Sequence, residues 1–303
     1  MAPETPVPYD EFGMFHENAH EFGIAYDNPP VVRREAVSLA DGRQLSALVW
    51  GDGEPEMVFL HGGAQNAHTW DTVALALARP LVAIDLPGHG HSDQGANGSL
   101  DVASNAADIA VAIKVLAPHT KVVVGMSLGG MTTLALAAYA PHLVPSAVLV
   151  DVTPGVNGTK SAAISNFVNG PESFEDFGAL LARTIEHNPT RTVASLRRGI
   201  LHNAMQREDG SWVWRYARLR PAGEASHPEF GFLWDAVSNM SVPLLLVRGM
   251  LPQSVVDDAD EAEFLRRSPH SRVVHVPDAG HSVQGDTPVE LAGIITRFVA
   301  GEA

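Results

Sequence analysis

With 303 residues, 45% of them apolar and 18% charged, the chain has enough material for a large buried core and is excluded from the disordered and fibrous classes. Twenty Lys and Arg against 35 Asp and Glu leave a formal charge of −15, which repels phosphate backbones and acidic bilayers, so no nucleic-acid partner is expected. Cysteine is absent, which removes disulfides, thiolate metal sites and Cys nucleophiles.

Residues 1–30, rich in Pro, acidic residues and aromatics without periodicity, read as an arm lying over the body or as a frayed end. Their start, MAPETPVPYDEF, lacks the basic end and apolar centre of a signal peptide. No apolar run approaches the roughly 20 residues needed to span a bilayer. The expectation is a cytoplasmic protein without membrane insertion, of unknown oligomeric state. Short apolar runs bounded by Gly, Pro or Asp then predict strands at Ala47–Trp50, Met57–Leu60, Leu81–Ile84, Lys121–Val124, Ala147–Val150, Pro243–Val247 and Val273–Val276. Helical spacing predicts helices at Trp70–Ala78, Ser99–Leu116, Met131–Ala140, Asp258–Arg267 and Pro288–Ala300. Such alternation implies an α/β fold, a mostly parallel central sheet flanked by helices. Between Thr153 and Met240 no strand is evident. Amphipathic segments at Phe174–His187 and Thr190–Met205 and an aromatic cluster suggest a helical cap inserted after the strand ending near Asp151. The expected division is 1–30 arm, 31–152 and 241–303 core, 153–240 cap.

In VVVGMSLGGM, Val122 to Met131, β-branched residues run into Gly125-Met-Ser127-Leu-Gly129-Gly130 and then into an alanine-rich segment. A serine hydroxyl attacks a carbonyl only if it protrudes and a base takes its proton. Gly-x-Ser-x-Gly at a strand-to-helix corner meets the first need, and Ser127 is the candidate nucleophile. An oxyanion needs backbone donors. FLHGGAQNAHTW, Phe59 to Trp70, follows a strand candidate, and the N–H groups of Gly63 and Leu128 are the candidate pair, with Ala64 one position away as the alternative. The base should be a histidine after the last strand. Of 14 histidines, His281 stands in a Gly-His-Ser turn past Val276, before the final helix; His275, inside the strand, reads as a face residue.

The acid is less plain. The loop after PLLLVRG offers Met250, Leu251, Pro252, Gln253 and Ser254, none a carboxylate. Asp257 follows, but Ser254 and the acids after it resemble a helix start, where acids suit the dipole for local reasons. Asp151, in AVLVDVTP at the end of the strand after the nucleophile's helix, can reach a histidine on a neighbouring strand top and is favoured over Asp257. Gly62, Gln65, Trp212, Trp214 and Phe232 are candidate pocket residues. His61 is a candidate brace for the oxyanion loop. Arg197, Arg198, His202 and Asn203 sit on a cap helix whose polar side is expected to face solvent. The histidines of DLPGHGHS read as turn residues, so no metal and no cofactor is expected.

HGG at 61–63, DLPGHGHS at 85–92, GMSLGG at 125–130 and GHSVQGD at 280–286 resemble the α/β-hydrolase fold superfamily in order and spacing across most of residues 31–303. Within it, HGGAQNAHTWDTV, LVDVTP, SLRRGILHNA and SWVWRY are similar to mycobacterial carboxylesterases. A looser similarity runs to small enterobacterial esterases whose acid follows the nucleophile's strand. The resemblance implies hydrolysis of a small-molecule carboxylic ester, with a short-to-medium acyl part, and favours Asp151. Thioesterase, lactonase and carbon–carbon hydrolase activities share the same triad, and a ligand-binding signalling protein with feeble turnover is the reading from another class.

Overall fold

The computed structural model describes residues 7–98, 100–217 and 230–302. In chain order the elements are α1 (Phe15–Glu21), β1 (Val32–Ser38), β2 (Gln44–Trp50), β3 (Met57–Leu60), α2 (Asp71–Leu77), β4 (Leu81–Ile84), α3 (Val102–Leu116), β5 (Val122–Met126), α4 (Leu128–Tyr139) and β6 (Ala147–Val150). They continue with α5 (Ala162–Val168), β7 (Ser173–Phe174), α6 (Phe177–His187), α7 (Val193–Asn203), β8 (Ala204–Gln206), β9 (Trp212–Trp214), α8 (Trp234–Asn239), β10 (Leu244–Gly249), α9 (Asp258–Arg267), β11 (Arg272–Val276), α10 (Val283–Asp286) and α11 (Pro288–Val299).

Eight strands form one sheet in the order β1-β2-β4-β3-β5-β6-β10-β11, parallel from β4 onward and antiparallel at the β1-β2 and β2-β4 pairs. The central strands are apolar on both faces because helices cover both. Val58 and Leu60 pack with Ile109 of α3, Leu134 of α4 and Phe264 of α9. Met57 and Phe59, one residue out of step, pack with Val73 of α2 and Ile295 of α11 on the opposite face. The elements predicted from apolar runs are present, with ends shifted by a few residues; Ser99, the expected start of α3, lies outside the described residues. β1 was not anticipated, since VRREAVS is an edge strand with its charged residues half in solvent.

Residues 153–240 are not purely helical. The inserted segment carries α5 to α8 and also a small antiparallel sheet, β7-β9-β8, whose strands of two or three residues are too short to show a period in the sequence. The arm is not frayed over its described part. Phe15 of α1 is 2% exposed and lies against Trp50, with ring centroids 4.8 Å apart. Its acids meet α7, where Arg198 pairs with Glu17 and Glu21 and donates to Asn18 Oδ1 at 2.7 Å. No helix among the described residues is long and apolar enough to cross a membrane.

Candidate active site

The corner between β5 and α4 depends on two glycines. A Cβ on Gly129 would fall against the Leu60 carbonyl, and one on Gly125 would fall 2.5 Å from Thr133 Oγ1 and against the backbone of Gly129. Helix and strand therefore approach more closely than any side chain permits, and Ser127 is pinched outward with φ +51° and ψ −117°. Such a conformation costs a non-glycine residue on the order of 1–3 kcal/mol and persists only when its surroundings dictate it. Asp151 (φ +47°) and Ala64 (φ +59°) share the left-handed region, so three of the four non-glycine residues with positive φ among the described residues lie at this sheet edge.

Asp151 is fully buried and its carboxylate accepts four hydrogen bonds. Oδ1 takes Gly249 N–H at 2.9 Å and the Ser254 hydroxyl at 2.6 Å; Oδ2 takes Val255 N–H at 3.1 Å and His281 Nδ1 at 2.9 Å. Both carboxylate oxygens are thus satisfied by donors of the protein itself. The loop after β10, which has no acid of its own, supplies the donors instead. Asp257 is engaged elsewhere: it caps α9 by accepting from Asp260 N–H at 2.9 Å and pairs with Lys160 at 2.8 Å. The Nδ1 bond fixes the His281 tautomer with Nε2 free. Neither Ser127 Oγ nor His281 Nε2 has a hydrogen-bond partner among the described residues, so the two atoms an acyl transfer must link stay available.

The loop facing Ser127 is tied down amide by amide. Gly62 N–H donates to Gln65 Oε1 at 3.1 Å, Ala64 N–H to His89 Nε2 at 3.1 Å, and Gln65 N–H to the Gly62 carbonyl at 3.2 Å. That leaves Gly63, whose Cβ position lies 4.0 Å from Leu128 Cδ2, with an N–H that has no partner among the described residues; the amide of Leu128, at the start of α4, has none among them either. His61 and His89 are scaffold. His61 Nε2 accepts from Leu86 N–H at 2.9 Å, and His89 Nδ1 donates to the Pro87 carbonyl at 3.1 Å. Burial, reinforced by His61, pushes His89 down to about 3, so it stays neutral and keeps its acceptor lone pair. The Ala64 partner of His89 is 25 residues away and has no signature in the sequence. His275 lies on the sheet's outer edge, bonded to Glu261 at 2.8 Å.

The pocket candidates divide. Gln65 and Trp214 line a cavity of about 190 Å³ between residues 65–72, α7 and α10. Gly62 does not line it, and its amide is already used by Gln65. Trp212 does not line it: 5% exposed, it packs with Met14, Phe174, Leu180 and Ile200 in a satellite core. Phe232 is also misplaced by the sequence reading. It is 62% exposed and flanks a surface groove with Ala135 and Tyr139, at the far end of α4, roughly 15 Å along the helix from Ser127. The polar side of α7 turns inward rather than to solvent. Arg198 and His202 are buried there, matched by the acids of α1 and by Tyr9, whose hydroxyl is 3.1 Å from His202 Nδ1. A second cluster, His68, Asp71 and His202, brings three metal-capable side chains together, but the two imidazoles stack at 3.7 Å and His68 is already bound to Asp71 at 2.9 Å. For that pair burial opposes protonation of His68, but Asp71 and a bond to Glu11 outweigh it and raise His68 to about 9.

A mostly parallel eight-stranded sheet, a strained serine at the β5-α4 corner and a buried Asp-His pair reaching across the top of β10 from the loops after β6 and β11 define a hydrolase of the α/β type. Residues 57–294 match the alpha/beta hydrolase family model, and the chain belongs to that family. It is similar to Esterase Rv0045c of Mycobacterium tuberculosis, 43% identical over 94% of each chain. A crystal structure of that esterase superposes with a TM-score of 0.82 at 42% identity, covering 98% of this chain and all of the other. It is similar also to the 2-(acetamidomethylene)succinate hydrolase of Mesorhizobium japonicum, 31% identical over 81% of this chain and 88% of the relative. A crystal structure of E-2-(acetamidomethylene)succinate hydrolase matches with a TM-score of 0.77 at 27% identity, over 89% of this chain and all of the other.

Proposed function

We propose that the chain is a carboxylic ester hydrolase working through an acyl-enzyme, with Ser127, His281 and Asp151 as its triad. His281 Nε2 takes the Ser127 proton as the hydroxyl attacks the ester carbonyl. Asp151 orients the ring and stabilises the imidazolium, the amides of Gly63 and Leu128 receive the oxyanion, and His281 returns the proton to the departing alcohol. Water, activated by the same histidine, then releases the acid. No cofactor enters the scheme. The observation that carries the reading is the His281–Asp151 bond at 2.9 Å in a chain whose elbow serine is held outward at φ +51°. The naming of the 43% identical relative as an esterase points the same way. In this reading residues 153–240 cap the core formed by 31–152 and 241–303, and the small cavity favours a short-to-medium acyl part.

The test is hydrolysis of a p-nitrophenyl series from acetate to octanoate by the wild type and Ser127→Ala. Turnover in the wild type that falls by about 10⁴-fold or more in the variant is expected, with a melting temperature within a few degrees. Tight binding of the esters without turnover would instead favour a ligand-binding protein.

A further inference from the structure

The cavity described above is walled by residues that neighbour the proposed nucleophile and base. Gln65 Oε1 and Ser127 Cβ both lie within 3.2 Å of the point a Gly62 Cβ would occupy, and Gln284, three residues past His281, forms another part of the wall. Phe167, Leu196, Ile200 and Trp214 give that wall an apolar stretch suited to an alkyl chain.

Five ionisable side chains line the cavity, and four are accounted for. Asp71 is matched by His68 at 2.9 Å, and Arg198 by Glu17 and Glu21. His202 is held neutral, its pKa lowered by burial and by the positive charge of His68. Arg191 remains. Its guanidinium packs over Gly285, in the turn that follows His281, and among the described residues it hydrogen-bonds only the Ser195 hydroxyl. Among the described residues no carboxylate oxygen lies within 4.0 Å of it. Burial lowers its pKa, and the more distant Asp286 and Glu21 do not offset that burial. Gln284, 1% exposed, leaves its side-chain oxygen without a partner. Rotation of that amide presents two further donors to the same space.

A guanidinium largely withdrawn from water but still open to a cavity is costly to leave without an anion, and it matches a carboxylate in planar, bidentate fashion. We infer that Arg191 binds a free carboxylate of the substrate, so that the preferred esters are half-esters of short dicarboxylic acids, with the ester carbonyl at Ser127 and the carboxylate at Arg191. This deepens, and rests on, the esterase reading. The net charge of −15 does not oppose it at short range, since exposed charges are screened beyond about 8 Å at physiological salt. Recognition of the anion is a matter of a direct contact.

The experiment compares kcat/KM for monoethyl glutarate and for its neutral isostere, ethyl 5-amino-5-oxopentanoate, in the wild type, Arg191→Gln and Arg191→Lys. The wild type is expected to prefer the anion by at least about tenfold, chiefly through KM. Arg191→Gln should lower that ratio by about tenfold or more, with part of it restored by Arg191→Lys. Should the variants fail to fold, inhibition of wild-type turnover of the neutral ester decides the matter: glutarate should compete and glutaramide should not. A wild-type ratio of one or less while the neutral ester is turned over, a ratio unchanged in Arg191→Gln, or equal inhibition by glutarate and glutaramide would overturn the inference alone. Turnover of neither glutarate ester nor any p-nitrophenyl ester would overturn the esterase reading together with it.

Discussion

The sheet edge and the layer above it hold their functional side chains by different means. At the edge, Ser127, Asp151 and His281 are fixed by backbone: strands buried on both faces, glycine contacts and amides donated to a carboxylate. Above it, charge pairs join the inserted segment and the arm to their surroundings, beside the apolar contacts of Met14 and Phe15. Arg198 meets Glu17 and Glu21, Arg34 meets Glu11, and Lys160 meets Asp257 and Asp260. Backbone geometry is insensitive to salt and pH, whereas paired charges respond to both. The proposed triad is thus held where conditions disturb it least, and the walls of the candidate pocket where they disturb it more.

The largest effect that could break this contrast concerns the acid. Asp151→Asn presents an NH₂ to donors that need an acceptor and upsets the His281 tautomer, so kcat should fall by roughly 10³- to 10⁴-fold. Asp257→Asn, in a helix cap and an exposed ion pair, should change kcat less than threefold. Equal losses would show that the acid had been misplaced. Gly125→Ala is next. Its methyl would meet the Gly129 backbone, and a loss of several kcal/mol in denaturant midpoint analysis, or failure to yield soluble protein, is expected.

The pH dependence sharpens the other half of the comparison. His68, raised to about 9 from an ordinary 6.5, contributes stability that is complete below pH 6.5 and is lost as the pH climbs through 9. In Glu11, hydrogen bonds from His68 and Arg34 outweigh the cost of burial and lower the carboxyl to about 2. Its contribution is therefore present above about 4.5 and lost as the pH falls through 2. The arm should dock most firmly between about pH 4.5 and 6.5. Amide exchange of α1 should quicken between pH 7 and 9.5, after correction for the intrinsic rate, by an amount on the order of 3 kcal/mol, and this dependence should be absent in His68→Gln. Smallest is the effect of His89→Ala. It leaves the Ala64 amide without its acceptor, and kcat should drop about 10- to 100-fold at every pH from 5 to 9, since the ring is neutral throughout. A step in that loss near pH 6.5 would contradict the neutral role.

The same division governs what the sequence disclosed. β5, its turn and α4 were legible because an apolar run, Gly-x-Ser-x-Gly and a helical period coincide within about 20 residues. The position of His281 followed from the last strand and the final helix. β1 was missed because Arg33, Arg34 and Glu35 mask its alternation, and β7 to β9 because two or three residues carry no period. The inward face of α7 was misread since its partners, Glu17, Asn18 and Glu21, lie about 180 positions earlier in the chain. Trp212 and Phe232 were taken as pocket residues on aromatic character alone, which says nothing about which way a side chain points. Periodicity encodes what a segment buries, not what comes to cover its polar side.

One hydrogen bond at the site has a wider reach. The Ser254 hydroxyl, on the loop after β10, donates to Asp151 Oδ1 at 2.6 Å. The loops after two adjacent strands therefore hold side-chain oxygens in contact next to the partner of one imidazole, and a carboxylate could stand at either position. A lineage moving its acid from one strand to the next would pass through a form with carboxylates at both addresses, which at such a separation would share a proton rather than repel. The seat of the charge can migrate while the histidine it serves stays where it is.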